Sequence, residues 1–338
     1  MTSCNQRESN RSAGTNKETG NKHEDESLSV KTACILSEIA YCSDPQKEIE
    51  QYLPGWKLAW NPIPVNGNYA FIVTDGKNYA LAIRGSLLEF SSAALANWIS
   101  NDLNVASQKD WTYTDITDAK ISQGSYEGLE NMNKLTDKTT GKNLWSFVKE
   151  TTGVNAPLLI TGHSLGGNLA TVYASYLWWQ WKQSGQTKNN INVITFAAPA
   201  AGNKNFAKDF DARFPNSLRI ENSNDIVPKF PVSGKISNLG DLFSNGPSAS
   251  SIEVGYKNVT VNLSKVFSLM SGALDLLKLT NGISAYTQTN GEGTIISCKL
   301  SGKNNSNTSA DWFAEAGYQH GMAQYAAALN APAITCGQ

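Results

Sequence analysis

Gly162-His163-Ser164-Leu165-Gly166-Gly167 is the stretch whose reading decides the fold. Just before it, Leu158–Thr161 has the apolar, β-rich character of a short buried strand; just after it, Asn168 to Trp181 reads as a helix. A serine held between glycines, on a turn that leads from strand to helix, fits the G-x-S-x-G nucleophile elbow. Each part has a physical reason. The turn is so tight that a Cβ at position 162 or 166 would clash, and it projects Ser164 where a base can reach it. The helix that follows aims its first N–H groups and the positive end of its dipole at a developing oxyanion. Ser164 is therefore the candidate nucleophile for acyl transfer.

Working outward, Val30, Cys34, Ile35 and Ile39 follow helical spacing. Tyr69–Thr74 and Tyr79–Ile83 read as strands joined by the turn Asp75-Gly76, and Ala94–Leu103 reads as a helix. Ile191–Phe196 and Leu218–Glu221 are further strands, separated by a polar helical stretch that carries Phe206 and Phe210. Strands alternating with helices predict an α/β fold, a mostly parallel central sheet with helices on both faces. Residues 1–27 are almost purely polar and cannot bury a core, so a disordered tail is expected ahead of one domain over residues 28–338. No apolar h-region precedes the tail, so the chain as given carries no signal peptide. Cys4, set ahead of a polar tether, resembles the start of a processed lipoprotein; a flexible tail with an incidental cysteine fits equally well.

Composition narrows the function classes. A formal net charge of −1 offers no basic field, which argues against nucleic acid as a partner. The long uncharged stretch Val154 to Trp181 is broken by Pro157, Gly162, Gly166 and Gly167, so no transmembrane segment is expected. Five cysteines are present. Cys34 and Cys42 are near neighbours, Cys298 and Cys336 lie late in the chain, and the spacing resembles no metal knuckle. Disulfides in a secreted protein and thiols in a cytosolic one both stay open on that count. With only 17% of residues charged, and Ser, Asn, Thr and Trp plentiful, an extracytoplasmic location is the favoured reading.

A serine nucleophile needs a base, and there are three histidines. His23 falls in the polar tail, and His163 sits beside the nucleophile on the turn, where its side chain is expected to point away. His320 remains. The acid belongs between Ser164 and His320, after a strand end. Asp225 follows Leu218–Glu221 and a short polar turn, whereas Asp209 and Asp211 lie in a helical, solvated-looking stretch and Asp241 and Asp275 fall later. Asp225 is thus the candidate to fix the tautomer of His320 and stabilise its imidazolium.

In this order the motifs resemble the class 3 lipases, a family that includes the secreted fungal triacylglycerol lipases and bacterial relatives. The similar stretches are Ala40-Tyr41-Cys42, Ile83-Arg84-Gly85-Ser86, Asn97-Trp98-Ile99 with Asp102-Leu103, and Gln123-Gly124-Ser125-Tyr126. They continue through the elbow, Thr195-Phe196-Ala197-Ala198-Pro199, Asn224-Asp225-Ile226-Val227-Pro228, and His320 with Tyr325. The resemblance implies an α/β-hydrolase fold, with an oxyanion hole at Ser86 and Leu165 and no metal or organic cofactor. It also implies a lid after Ser86, here the apolar-rich Leu87 to Ala96. Two departures stand out. Ala197 follows Phe196 where the family often has glycine. The gap from Asp225 to His320 exceeds that from Ser164 to Asp225 and holds an inserted element, residues 229–311, with a nearly apolar helix at Leu263 to Leu279. That helix reads equally as a cap over the site and as a core helix away from it. The Trp178, Trp179 and Trp181 cluster reads as packing.

The resemblance implies a serine carboxylic-ester hydrolase, a lipase acting on acylglycerols, with a lipid or ester substrate met at a lipid–water interface. A phospholipase A-type enzyme, a short-chain or aromatic esterase, and a membrane-directed toxin share the same triad, since selectivity lies in lid and pocket. A catalytically silent binding protein of the same fold would show loss of a triad member, and each member is present.

Overall fold

The computed structural model describes residues 28–87, 104–243, 246–256, 259–280 and 283–336. The polar tail with Cys4, most of the lid segment and the helix expected at Ala94–Leu103 lie outside these residues.

In chain order the strands are β1 (Lys57–Trp60), β2 (Ala70–Thr74), β3 (Tyr79–Ile83), β4 (Gln108–Asp110), β5 (Lys120–Ser122), β6 (Leu158–His163), β7 (Ile191–Phe196), β8 (Gly202–Asn203), β9 (Leu218–Asn222), β10 (Glu253–Tyr256), β11 (Val259–Asn262), β12 (Tyr286–Thr287) and β13 (Thr294–Ile296). Seven of them form the central sheet in the order β1-β2-β3-β6-β7-β9-β13. From β3 to β13 every pairing is parallel, and β1 and β2 join antiparallel at one edge. The structure is an α/β-hydrolase fold with a mostly parallel sheet.

The sheet is covered on both faces, and the alternation of side chains shows it. Leu81, Leu158 and Ile160 face a core built with Leu169, Val172, Tyr173 and Leu177 of the helix Leu165–Gln183. Ala80, Ala82 and Leu159 face the other way, onto Ala33, Leu36 and Ile39 of the helix Val30–Ile39. All six residues of β6 are buried, as expected of a central parallel strand. The elbow therefore rises from the middle of the sheet between two packed layers.

Beyond β9 the inserted residues build a third core. Phe267, on the helix Leu263–Thr280, packs against Trp312 at 5.2 Å between ring centroids, and Phe243 meets the same indole at 5.3 Å. The helix is thus anchored on the element that carries His320, Ser309–His320, while Leu276 and Leu279 stay exposed. Trp181 is buried edge-to-face on Trp145, and the Arg213 guanidinium lies over Trp178; both contacts are packing.

One disulfide joins Cys42 to Cys336, and Cys34 and Cys298 are free thiols. The bridge takes one cysteine from each end of the described chain and pairs neither sequence neighbour. It fastens the C-terminal stretch over the helix Val30–Ile39. No helix among the described residues is long and apolar enough to cross a membrane.

Candidate active site

Ser164 sits at the apex of the turn from β6 into the helix Leu165–Gln183, with φ 59° and ψ −130°. For a residue with a Cβ this is strained backbone, of the kind that persists where surrounding structure enforces it. The enforcement is visible. A Cβ on Gly162 would lie 2.4 Å from the Gly166 carbonyl oxygen, and one on Gly166 would lie 2.2 Å from that of Ile83. The turn is closed by the Ser164 N–H donating to the Phe196 carbonyl at 2.9 Å, while the Ser164 carbonyl accepts from Gly167 and Asn168. The helix has no side-chain cap, so its first N–H groups are left for whatever binds at its end. The Ser164 hydroxyl is buried and has no hydrogen-bond partner among the described residues.

Asp225 is fully buried just past β9. Its Oδ1 accepts the Val227 N–H at 2.9 Å, and its Oδ2 accepts both His320 Nδ1 at 2.8 Å and the Tyr325 hydroxyl at 2.7 Å. A carboxylate only accepts, so the His320 proton resides on Nδ1 and Nε2 is left as the basic nitrogen. Tyr325 in turn accepts the Asn222 N–H at 3.0 Å. Asn222 reaches across to the His320 helix, its Nδ2 donating to the carbonyl and side-chain oxygens of Gln319 at 2.9 and 2.8 Å. Asp225 and His320 are thus tied together both directly and through their supporting elements.

His163 does not point away from this assembly. Its Nε2–H donates to the His320 carbonyl at 2.8 Å, its Nδ1 accepts the Tyr41 hydroxyl at 2.9 Å, and its ring lies 4.4 Å from that of His320. Burial, and then the neighbouring His320, push its pKa well below the usual histidine range, so it is a neutral strut between the elbow and the end of the His320 helix. The β6 strand continues through residue 163, which turns the side chain toward the end of that helix. Asp209 is likewise not solvated: it is buried and paired with Arg213 at 2.9 Å. Asp211 caps the Asn290 N–H at 2.8 Å, and Asp275 pairs with Lys278 on an exposed helix face. The carboxylate that holds His320 is that of Asp225.

Ser86 and Leu87, at the end of the β3 strand, stand where two cavities meet. One, of about 490 Å³, runs along Arg84, Asn131 and Leu165; the other, of about 680 Å³, runs along His163, His320 and Glu38. The oxyanion candidates Ser86 and Leu165 share the first, and Ser86 and His320 share the second.

The sheet and its covering helices define an α/β-hydrolase fold, with Ser164 at the turn from β6 into the helix Leu165–Gln183. Residues 80–235 match the class 3 lipase family model. Among curated relatives, a Caenorhabditis elegans lipase is 34% identical over 91 residues, covering 26% of this chain and 25% of its own length. A phospholipase A1 of Oryza sativa is 40% identical over 79 residues, covering 23% of this chain and 19% of that protein. A secreted mono- and diacylglycerol lipase of Fusarium solani is 26% identical, covering 48% of this chain and 42% of that protein. The chain thus spans a quarter or less of the length of the first of these relatives. A crystal structure of M37 lipase superposes with a TM-score of 0.68 at 22% identity, covering 90% of this chain and 92% of that one; it shares the fold.

Three residues of the site went unread in the sequence as parts of it: Asn222, Gln319 and the hydroxyl of Tyr325. Tyr325 had a signal, one helical turn and a residue beyond His320, but its role requires knowing that the helix folds back on Asp225.

Proposed function

We propose that this protein is a serine carboxylic-ester hydrolase acting on lipid esters. Ser164 attacks the ester carbonyl while His320 Nε2 takes its proton. Asp225 holds the ring and stabilises the imidazolium. The backbone N–H groups of Leu165 and Ser86 receive the oxyanion; the former lies at an uncapped helix start. His320 then gives its proton to the departing alcohol, and water repeats the cycle on the acyl-enzyme. The observation that carries this reading is the buried Asp225–His320 pair at 2.8 Å, with His320 in the wall of the cavity that opens at Ser86. Acylglycerols are the first substrate class, in keeping with the family. A phospholipase A1 activity is the second reading, because the Oryza sativa phospholipase matches at the highest identity among the relatives described. The Cys42–Cys336 bridge supports an oxidising, extracytoplasmic location.

Fatty-acid release from p-nitrophenyl esters of rising chain length, from an emulsified acylglycerol and from a phospholipid vesicle tests the reading and ranks the substrates. Ser164→Ala is expected to lower turnover on all of them by on the order of a million-fold with an unchanged circular-dichroism spectrum. A folded Ser164→Ala protein that keeps more than a small fraction of activity overturns the assignment.

A further inference from the structure

Glu38 sits at the inner end of the helix Val30–Ile39 and is 93% buried, with a relative exposure of 7%. Such a carboxyl is ordinarily paired with a cation or ringed by donors. Among the described residues its Oε2 has no hydrogen-bond partner, and its one supporting donor is the Ile334 backbone. Burial, against that pull from Ile334, pushes its pKa up to about 7. The side chain forms part of the wall of the 680 Å³ cavity, whose other described walls include Leu87, Met322, Ile334 and His320. It is the single carboxylate among them.

The place of this cavity follows from the chemistry of the neighbouring base. The group that protonates the departing oxygen must lie beside the alcohol half of the ester, and His320 is that group in the proposed mechanism. The cavity walled by His320 is therefore the side on which the alcohol half lies, and Glu38 is part of the same wall. We infer that Glu38 is a specificity determinant that hydrogen-bonds a free hydroxyl on the alcohol part of the substrate, so that partial esters of a polyol are preferred over fully esterified or etherified ones. This inference rests on the hydrolase reading above. A hydroxyl suits the site better than a cation does. It can donate to Glu38 when the carboxyl is ionised and accept from it when protonated. A cationic head group would face apolar walls and, beside it, the imidazolium that His320 becomes during the reaction. Without a substrate hydroxyl the buried Oε2 stays unpaired, and that penalty separates the two kinds of ester.

The test compares kcat/KM for ethylene glycol monobutyrate with that for its methyl ether, two soluble esters that differ by whether the hydroxyl can donate. The wild-type protein is expected to favour the free hydroxyl roughly ten- to a hundredfold. Glu38→Leu brings the ratio to about one, and Glu38→Gln, whose amide both accepts and donates, retains most of it. Labelling of Ser164 by a phosphonate establishes that each variant is folded around its nucleophile. A wild-type ratio near one overturns the inference without any variant, and so does a ratio that survives in Glu38→Leu. Equal cleavage of both esters leaves the hydrolase reading standing, whereas cleavage of neither, with no labelling of Ser164, overturns that reading and this inference together.

Discussion

The proposed nucleophile and the proposed acid–base pair are built by opposite means. Ser164 is placed by backbone: six consecutive residues, two strand neighbours and a turn with no room for a Cβ at Gly162 or Gly166. Asp225 and His320 come from positions 95 residues apart in the chain and are placed by side chains. Asn222, Gln319 and Tyr325 stitch the end of β9 to the helices on either side of His320. A backbone-built half fails when volume is added. A side-chain-built half fails when a donor or acceptor is removed. The variants that separate the halves follow from that difference.

Among the variants that separate the halves, the largest effect is expected in the side-chain half. Asp225→Asn keeps the shape but offers His320 an amide in place of a carboxylate, which favours the wrong tautomer. Turnover on a soluble ester should fall by roughly ten-thousand-fold while the thermal transition moves little. A comparable loss from Asp275→Asn, an exposed residue paired with Lys278, would sink the placement of the acid. In the backbone half, Gly166→Ala puts a methyl group 2.2 Å from the Ile83 carbonyl and 2.8 Å from the Gly85 nitrogen. It forces the elbow away from the strand end that carries Ser86. Activity is expected to drop about a hundredfold, the scale of an ångström-sized misplacement, with roughly 3 kcal/mol lost in stability. A variant with normal activity would mean that the turn tolerates more than its contacts allow.

The same contrast explains which parts of the molecule could be read in advance. The elbow is contiguous, so strand, glycines and helix announced themselves together, and the order of motifs pointed to Asp225 and His320, which the structure brings into contact. The supporting network could not be read, because Asn222, Gln319 and Tyr325 meet only after β9 and the C-terminal helices pack. His163 was misjudged for a related reason: a turn residue is expected to face outward, but here β6 runs through position 163 and turns it onto His320. Strands β4, β5, β8 and β12 escaped notice because two or three residues show no period. The Cys42–Cys336 bridge spans nearly the whole described chain, and spacing carries no information at that range.

A middling effect is expected where one side-chain bond is removed from several. Tyr325→Phe deletes the hydroxyl that donates to Asp225 and accepts from Asn222. A buried bond to a charged acceptor contributes about 2 kcal/mol, and the loss should appear as a lower denaturation midpoint. Turnover should fall about tenfold, since Asp225 keeps its Val227 N–H and the His320 ring but loses one partner that orients it; a tenfold change is about 1.4 kcal/mol in the barrier. If Tyr325→Phe matched Asp225→Asn, the hydroxyl would be as essential as the carboxylate and the network would act as one unit.

The smallest effect belongs to the backbone half, and its size is the informative part. Ala197 follows β7 with φ 53° and is fully buried, and its N–H donates to the Ile220 carbonyl at 3.0 Å. An alanine in this left-handed region is strained by about 1 kcal/mol, which a glycine would relieve. Against that, Ala197→Gly gives up a buried methyl group, about 0.8 kcal/mol of apolar burial, and frees the unfolded chain by a further several tenths of a kcal/mol. The opposing terms nearly cancel, so the expected change in stability is within about 0.5 kcal/mol, and for a domain of this size the melting temperature should move by no more than about 2 °C. Turnover should stay within a factor of two, because no side chain of the site changes and β7 keeps its register on β6. Thermal denaturation beside a rate measurement on a soluble ester reads both quantities. A marked loss of activity from this one variant would show that the strain at Ala197 helps to hold Ser164, whose N–H is bonded to the adjacent Phe196 carbonyl; the backbone half would then extend one strand further than the elbow itself.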